Sequence, residues 1–125
     1  MPGGKDLAIV FGAGGLGSVA RYGVGLWVGT RDFPYATLIV NVVGSFLIAV
    51  VVELAARIAD FPPNLRLALA TGFLGGFTTY SSFNLETTAL FLDGSPLRAA
   101  ANLAATVLGC TTAGLAGIWL ARRFA

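Results

Sequence analysis

Long apolar runs alternate along the chain with short clusters of turn-forming and charged residues. Four runs, at residues 7–28, 35–56, 65–92 and 97–121, are each near or above the roughly 20 residues that a helix needs to cross a hydrocarbon layer. Between them lie Gly29-Thr30-Arg31-Asp32-Phe33-Pro34, residues 57–64 with Pro62-Pro63, and Asp93-Gly94-Ser95-Pro96. Connections this short join antiparallel neighbours. The pattern predicts one all-α integral membrane domain over residues 1–125, a bundle of four transmembrane helices. The first run carries Arg21 and ends in Trp27-Val28 instead of a small-residue cleavage site, so it reads as a retained span.

The third run departs from a plain apolar pattern between Gly72 and Phe83. Gly75-Gly76 lack both the side chains and the helix propensity to keep a span regular, and Thr78-Thr79 can start a fresh helix. A break at Gly75–Thr79 is therefore expected. In lipid such a break leaves carbonyls at the end of one half helix and amides at the start of the next, a pairing suited to ions. Tyr80 and Phe83 follow three residues apart on one face, with Ser81, Ser82 and Glu86 alongside. Aromatic ring edges carry partial positive charge and can contact a small anion.

Each remaining run carries its own stripe. In the first, Ala13, Gly17, Arg21 and Gly25 share a four-residue repeat, so a face small enough for close packing also holds a cation. A charge at that depth costs on the order of 3 kcal/mol unless it snorkels, pairs or meets water. Thr37, Asn41 and Ser45 form a polar stripe on the second. The hydroxyls can bond back to their own helix, whereas the Asn41 amide cannot be satisfied so cheaply. Glu53 and Arg57 stand four apart as a surface pair. The fourth run sets Asn102, Thr106 and Cys110 on one stripe and Gly109, Ala113 and Gly117 on another.

Composition agrees with a membrane setting: 56% of residues are hydrophobic, 11% are charged, and mean hydropathy is +0.81. A single cysteine and no histidine exclude an intramolecular disulfide, a Cys/His catalytic pair and a histidine-ligated zinc. The net charge of +2 comes from basic residues placed mostly at the ends of runs, which argues against nucleic-acid binding. Lys5, Arg57, Arg66, Arg122 and Arg123 fall on the side shared by both termini, and Arg31 and Arg98 on the other, a mild bias toward termini inside that leaves insertion both ways open.

Taken together, Gly75-Gly76-Phe77-Thr78-Thr79-Tyr80-Ser81-Ser82-Phe83, Val40-Asn41-Val42-Val43-Gly44-Ser45-Phe46 and Gly17-Ser18-Val19-Ala20-Arg21-Tyr22 resemble the small bacterial fluoride channels called Fluc or CrcB. The resemblance covers essentially the whole chain. It implies a multi-pass protein of the inner (plasma) membrane, a homodimer of oppositely oriented copies, two fluoride pores and a central structural sodium ion. It further implies that Gly75 and Thr78 offer backbone carbonyls to the sodium, and that Asn41, Tyr80, Phe83, Ser81 and Thr106 line the fluoride pore, with Arg21 in a positive vestibule. The family commonly has phenylalanine where Tyr80 stands, so this hydroxyl either hydrogen-bonds the ion or narrows its path. The implied partners are fluoride, the lipid bilayer and a second copy of the chain; no organic cofactor and no enzymatic activity are expected.

An alternative is a small proton-coupled multidrug exporter, which also uses four spans and opposed dimers. It requires a membrane-embedded carboxylate in the first span, where this chain has Arg21 and no acid. A packing subunit that conducts nothing would account for the small-residue stripes but leave Asn41 and the broken third run unexplained.

Overall fold

A computed structural model describes residues 3–125, all helix and connection. Helix α1 covers Gly4–Val28 and α2 covers Tyr35–Arg57. The third span is composite: α3 (Pro63–Arg66) leads into a π-wound segment (Leu67–Leu74), then α4 (Gly75–Phe77), and after two extended residues α5 (Tyr80–Leu92). Helix α6 covers Pro96–Phe124. Three helices, α1, α2 and α6, are long and apolar enough to cross a membrane, with mean hydropathies of 1.4, 2.4 and 1.6. The third expected span is divided, so no single helix in it reaches that length.

Prolines and glycines mark the ends. Pro63 and Pro96 occupy the first turns of α3 and α6, where a missing N–H costs nothing. Gly29, at φ 73°, ends α1 in a conformation that a side chain would oppose.

The break falls within the expected Gly75–Thr79 stretch, at its last two residues and not at the glycines. Gly75 has helical angles, φ −62° and ψ −37°, and Gly75–Phe77 continues the helix. The extended residues are Thr78 (φ −88°, ψ 155°) and Thr79 (φ −151°, ψ 115°). Gly76 serves close packing: a Cβ there would overlap the Gly14 carbonyl, and one at Gly17 would overlap that of Phe73. At Gly72 a Cβ would lie 2.6 Å from the Ala13 Cβ. The small face of α1 thus meets the first half of the third span backbone to backbone, as small residues allow in lipid.

Helix α6 packs chiefly on α2. Its small stripe is the contact: a Cβ on Gly117 would stand 2.5 Å from the Phe46 carbonyl, and one on Gly109 would stand 3.2 Å from the Val42 side chain. Val40, Leu74 and Phe77 form the buried centre, flanked by Ala20, Val24, Val51 and Phe73. Large apolar side chains such as Phe11, Trp27, Leu85 and Leu97 point outward, as a lipid solvent permits.

These contacts separate the glycines of α1 by role. Gly17→Ala is expected to lower the melting temperature of the purified protein, at a cost of about 1–3 kcal/mol for forcing two backbones apart. Gly12→Ala, on the same helix with no neighbour near its added methyl, should leave it unchanged or raise it slightly.

Candidate functional site

Two residues without helical geometry at membrane depth present backbone groups that lipid cannot satisfy. The Asn41 side chain resolves this for Thr79. Asn41 Oδ1 accepts the Thr79 amide at 2.8 Å, and Asn41 Nδ2 donates to the Thr79 carbonyl at 3.0 Å. The side-chain amide pairs with the backbone as a neighbouring strand would. Asn41 is buried and sits beside Gly44, whose missing side chain makes room for the Thr78 methyl.

Helix α5 then starts cleanly. Thr79 Oγ1 accepts the Ser82 amide at 3.2 Å, the N-cap that the threonine pair led one to expect. On the other side of the break, the Leu74 carbonyl takes both the Thr78 amide (3.1 Å) and the Thr78 hydroxyl (3.0 Å). Arg21 Nε donates to the Gly76 carbonyl at 3.1 Å, so the cation of α1 meets the partly negative end of the first half helix.

These bonds also determine which carbonyls are left over. The helical donor to the Gly75 carbonyl would be the Thr79 amide, which goes to Asn41; the donor to the Thr78 carbonyl would be the Ser82 amide, which goes to the Thr79 hydroxyl. Both residues singled out for sodium therefore carry carbonyls deprived of their regular partner. Among the described residues no three His, Cys, Asp or Glu side chains cluster to hold a metal. Neutral carbonyl oxygens suit a hard cation such as sodium, and these two fit that role.

Two cavities flank the break, and Thr79 borders both. The first, about 360 Å³, is bordered by Asn41, Tyr80, Phe83 and Thr106 together with Ser45 and Cys110, and its lining contains no charged residue. The second, about 300 Å³, is bordered by Arg21, Thr37, Ser82 and Glu86. There the Thr37 hydroxyl donates to Glu86 Oε1 at 2.7 Å.

Four of the residues expected to line a pore thus meet at one cavity. Arg21 lies at the other, and Ser81 borders neither, being exposed with its hydroxyl 3.3 Å from Thr79 Oγ1. The Tyr80 and Phe83 rings meet edge to face with centroids 5.5 Å apart, but Phe83 is 5% exposed and Tyr80 is 77% exposed. Thr106 Oγ1 is buried with no hydrogen-bond partner among the described residues. An orphaned hydroxyl in an apolar interior costs about 1–3 kcal/mol, a reason to look for a ligand there.

Sequence spacing left one support unseen. Asn102 Nδ2 donates to the Thr87 hydroxyl at 2.8 Å, and that hydroxyl donates to the Phe83 carbonyl at 2.7 Å, tying α6 to the turn that carries Phe83. The place of Asn102 on the polar stripe of the fourth run was the available signal; its partner on α5 was not deducible from spacing.

The family model described as CrcB-like protein, Camphor Resistance (CrcB), matches residues 8–118. The chain belongs to the CrcB family. Among its relatives, the protein named Fluoride-specific ion channel FluC of Sorangium cellulosum (strain So ce56) is 49% identical over 113 residues, covering 88% of this chain and 89% of that protein. The FluC of Anaeromyxobacter dehalogenans (strain 2CP-1 / ATCC BAA-258) is 50% identical over 119 residues, covering 93% and 94%. That of Geobacter metallireducens (strain ATCC 53774 / DSM 7210 / GS-15) is 47% identical over 112 residues.

In this CrcB chain the Asn41 clamp and the Thr79 cap make separable predictions. Asn41→Leu strips both partners from Thr79 and is expected to destabilise the fold by about 2–6 kcal/mol, one buried unsatisfied group on each of two atoms. Thr79→Val leaves the clamp and removes the cap, together with the hydroxyl contacts to Ser81 and Ser82, and should cost about 1 kcal/mol. Thermal unfolding of the purified variants gives the ranking directly.

Proposed function

We propose that this chain is a passive fluoride-selective channel of the bacterial inner membrane, exporting fluoride from the cytoplasm and working as a homodimer of oppositely inserted copies. The observation that carries the reading is the first cavity: it joins an orphaned Thr106 hydroxyl, the Asn41 amide and the Phe83 ring, with no charge in its lining. Asn41 uses one of its two N–H bonds on Thr79 and has a second to offer. Fluoride holds its water tightly, so its replacement needs several weak donors at once, while capture at one strong site would stop conduction. The relatives' shared name, a fluoride-specific ion channel, agrees with this chemistry. No covalent step is involved.

The second cavity supplies the approach in this reading. Arg21 borders it and draws anions toward the break, while its Nε remains fixed to the Gly76 carbonyl. Tyr80 is the outward member of the aromatic pair, and its exposure in one copy leaves it for a face shared with the second copy. Ser81, exposed at the same turn, belongs to that face as well. The carbonyls of Gly75 and Thr78 would hold a structural sodium, whose positive charge would satisfy carbonyl oxygens that have lost their helical donors. Two pores follow from the two copies.

A proton-coupled exporter is the weaker reading. The one acid of α1, Asp6, lies in its first turn, and Glu86 sits on α5 bonded to Thr37.

Liposomes loaded with fluoride test the proposal. Protein-containing vesicles should release fluoride far faster than protein-free ones and should retain chloride. Phe83→Ile and Thr106→Val should each slow fluoride release roughly tenfold or more, the equivalent of one lost favourable contact at the ion. Release no faster than from protein-free vesicles contradicts the function, and wild-type rates in both variants remove the first cavity from the pathway.

A further inference from the structure

A second cluster of charge lies about 18 Å along α2 from Asn41, twelve residues on at the helical rise. There Glu53 Oε1 accepts from Arg57 Nε at 2.9 Å and from Arg122 Nε at 2.8 Å, joining the last turns of α2 and α6. One carboxylate thus meets two guanidiniums. Both bonds use Nε, so the terminal nitrogens of each fork have no hydrogen-bond partner among the described residues. Glu53 is the least exposed of the three side chains at 19%, against 39% for Arg57 and 58% for Arg122, which places the carboxylate beneath and the forks outward. One residue further on, the Arg123 guanidinium stacks 4.5 Å over the Trp119 ring.

The cluster carries three arginines and one glutamate, a surplus of two positive charges. The partial negative charges at the ends of α2 and α6, roughly half a unit each, reduce that surplus to about one. One phosphodiester carries the opposite of that charge, and its planar pairs of oxygens match an arginine fork. The cluster also stands where a headgroup would: α2 and α6 are long and apolar enough to cross a membrane, and these are their final turns. Trp119, half-exposed beside it, is the side chain that prefers the boundary between headgroups and acyl chains.

We infer that Arg57, Arg122 and Arg123, set by Glu53 and Trp119, form a binding site for the phosphodiester headgroup of an anionic phospholipid. A zwitterionic choline headgroup brings a cation against the same arginines and is disfavoured. Two oppositely inserted copies would present one such site to each leaflet, but the site itself is complete within one chain and does not depend on what the protein conducts.

The full-length protein in a neutral detergent tests this by thermal unfolding while phosphatidylglycerol, phosphatidylcholine or inorganic phosphate is added. Phosphatidylglycerol should raise the melting temperature saturably, and the other two should not. A basic side chain at an anionic headgroup contributes an amount equivalent to about a fivefold change in affinity, so Arg123→Gln, which breaks no ion pair, should raise the midpoint roughly fivefold. Arg57→Gln with Arg122→Gln should raise it roughly twenty-five-fold on the same scale. Arg98→Gln, at the opposite end of α6, should change nothing. Equal shifts with phosphatidylcholine, equal shifts with inorganic phosphate, or a wild-type midpoint in both arginine variants would each overturn the inference.

Discussion

Lipid offers no hydrogen bonds, and the fold depends on how two non-helical residues at membrane depth satisfy that constraint. Thr78 and Thr79 interrupt the third span, and the two bonds from Asn41 to the Thr79 backbone make the interruption tolerable. The clamp comes from a neighbouring helix, so the geometry of the break is tied to the packing of α2. Gly44, one turn along, must lack a side chain for Thr78 to fit, which links the clamp and the packing in a single surface. Arg21 on α1 completes the arrangement from the other side through the Gly76 carbonyl.

Function follows from what this bracing leaves over. Taking the Thr79 and Ser82 amides away from their helical acceptors leaves the Gly75 and Thr78 carbonyls without those partners, the opening that the proposed sodium site uses. The same clamp turns one face of Asn41 toward a neutral cavity shared with Phe83 and Thr106. Carbonyls and donors are thereby sorted to different places around one interruption.

Much of this was legible in the sequence, because apolar length, turn residues and four-residue stripes report helices directly. The stripes on α1 and α6 did mark close contacts, and the threonine pair did mark a helix start. The break takes the last two residues of the expected Gly75–Thr79 stretch and spares its glycines, since glycine both weakens a helix and lets two helices touch, and here Gly76 packs on α1 within the helix. The π winding of Leu67–Leu74 had no residue signature, being a choice of register made by packing. Side-chain pairs between distant segments, such as Asn102 with Thr87 and Glu53 with Arg122, were beyond reach because spacing within one helix says nothing of its partner. Of the pore residues that the family resemblance implied, the structure brings Asn41 and Thr106 to one cavity, while Ser81 turned outward because the break starts α5 at a rotation that sequence alone does not fix.

The central claim is that a braced interruption in one span creates a passive path selective for fluoride. Recording the reversal potential across a planar bilayer, with fluoride on one side and an equal concentration of chloride on the other, tests it most directly. The account predicts a current that reverses only at the extreme voltages set by fluoride alone. Reversal near zero, as equal permeability to the two anions would give, contradicts it.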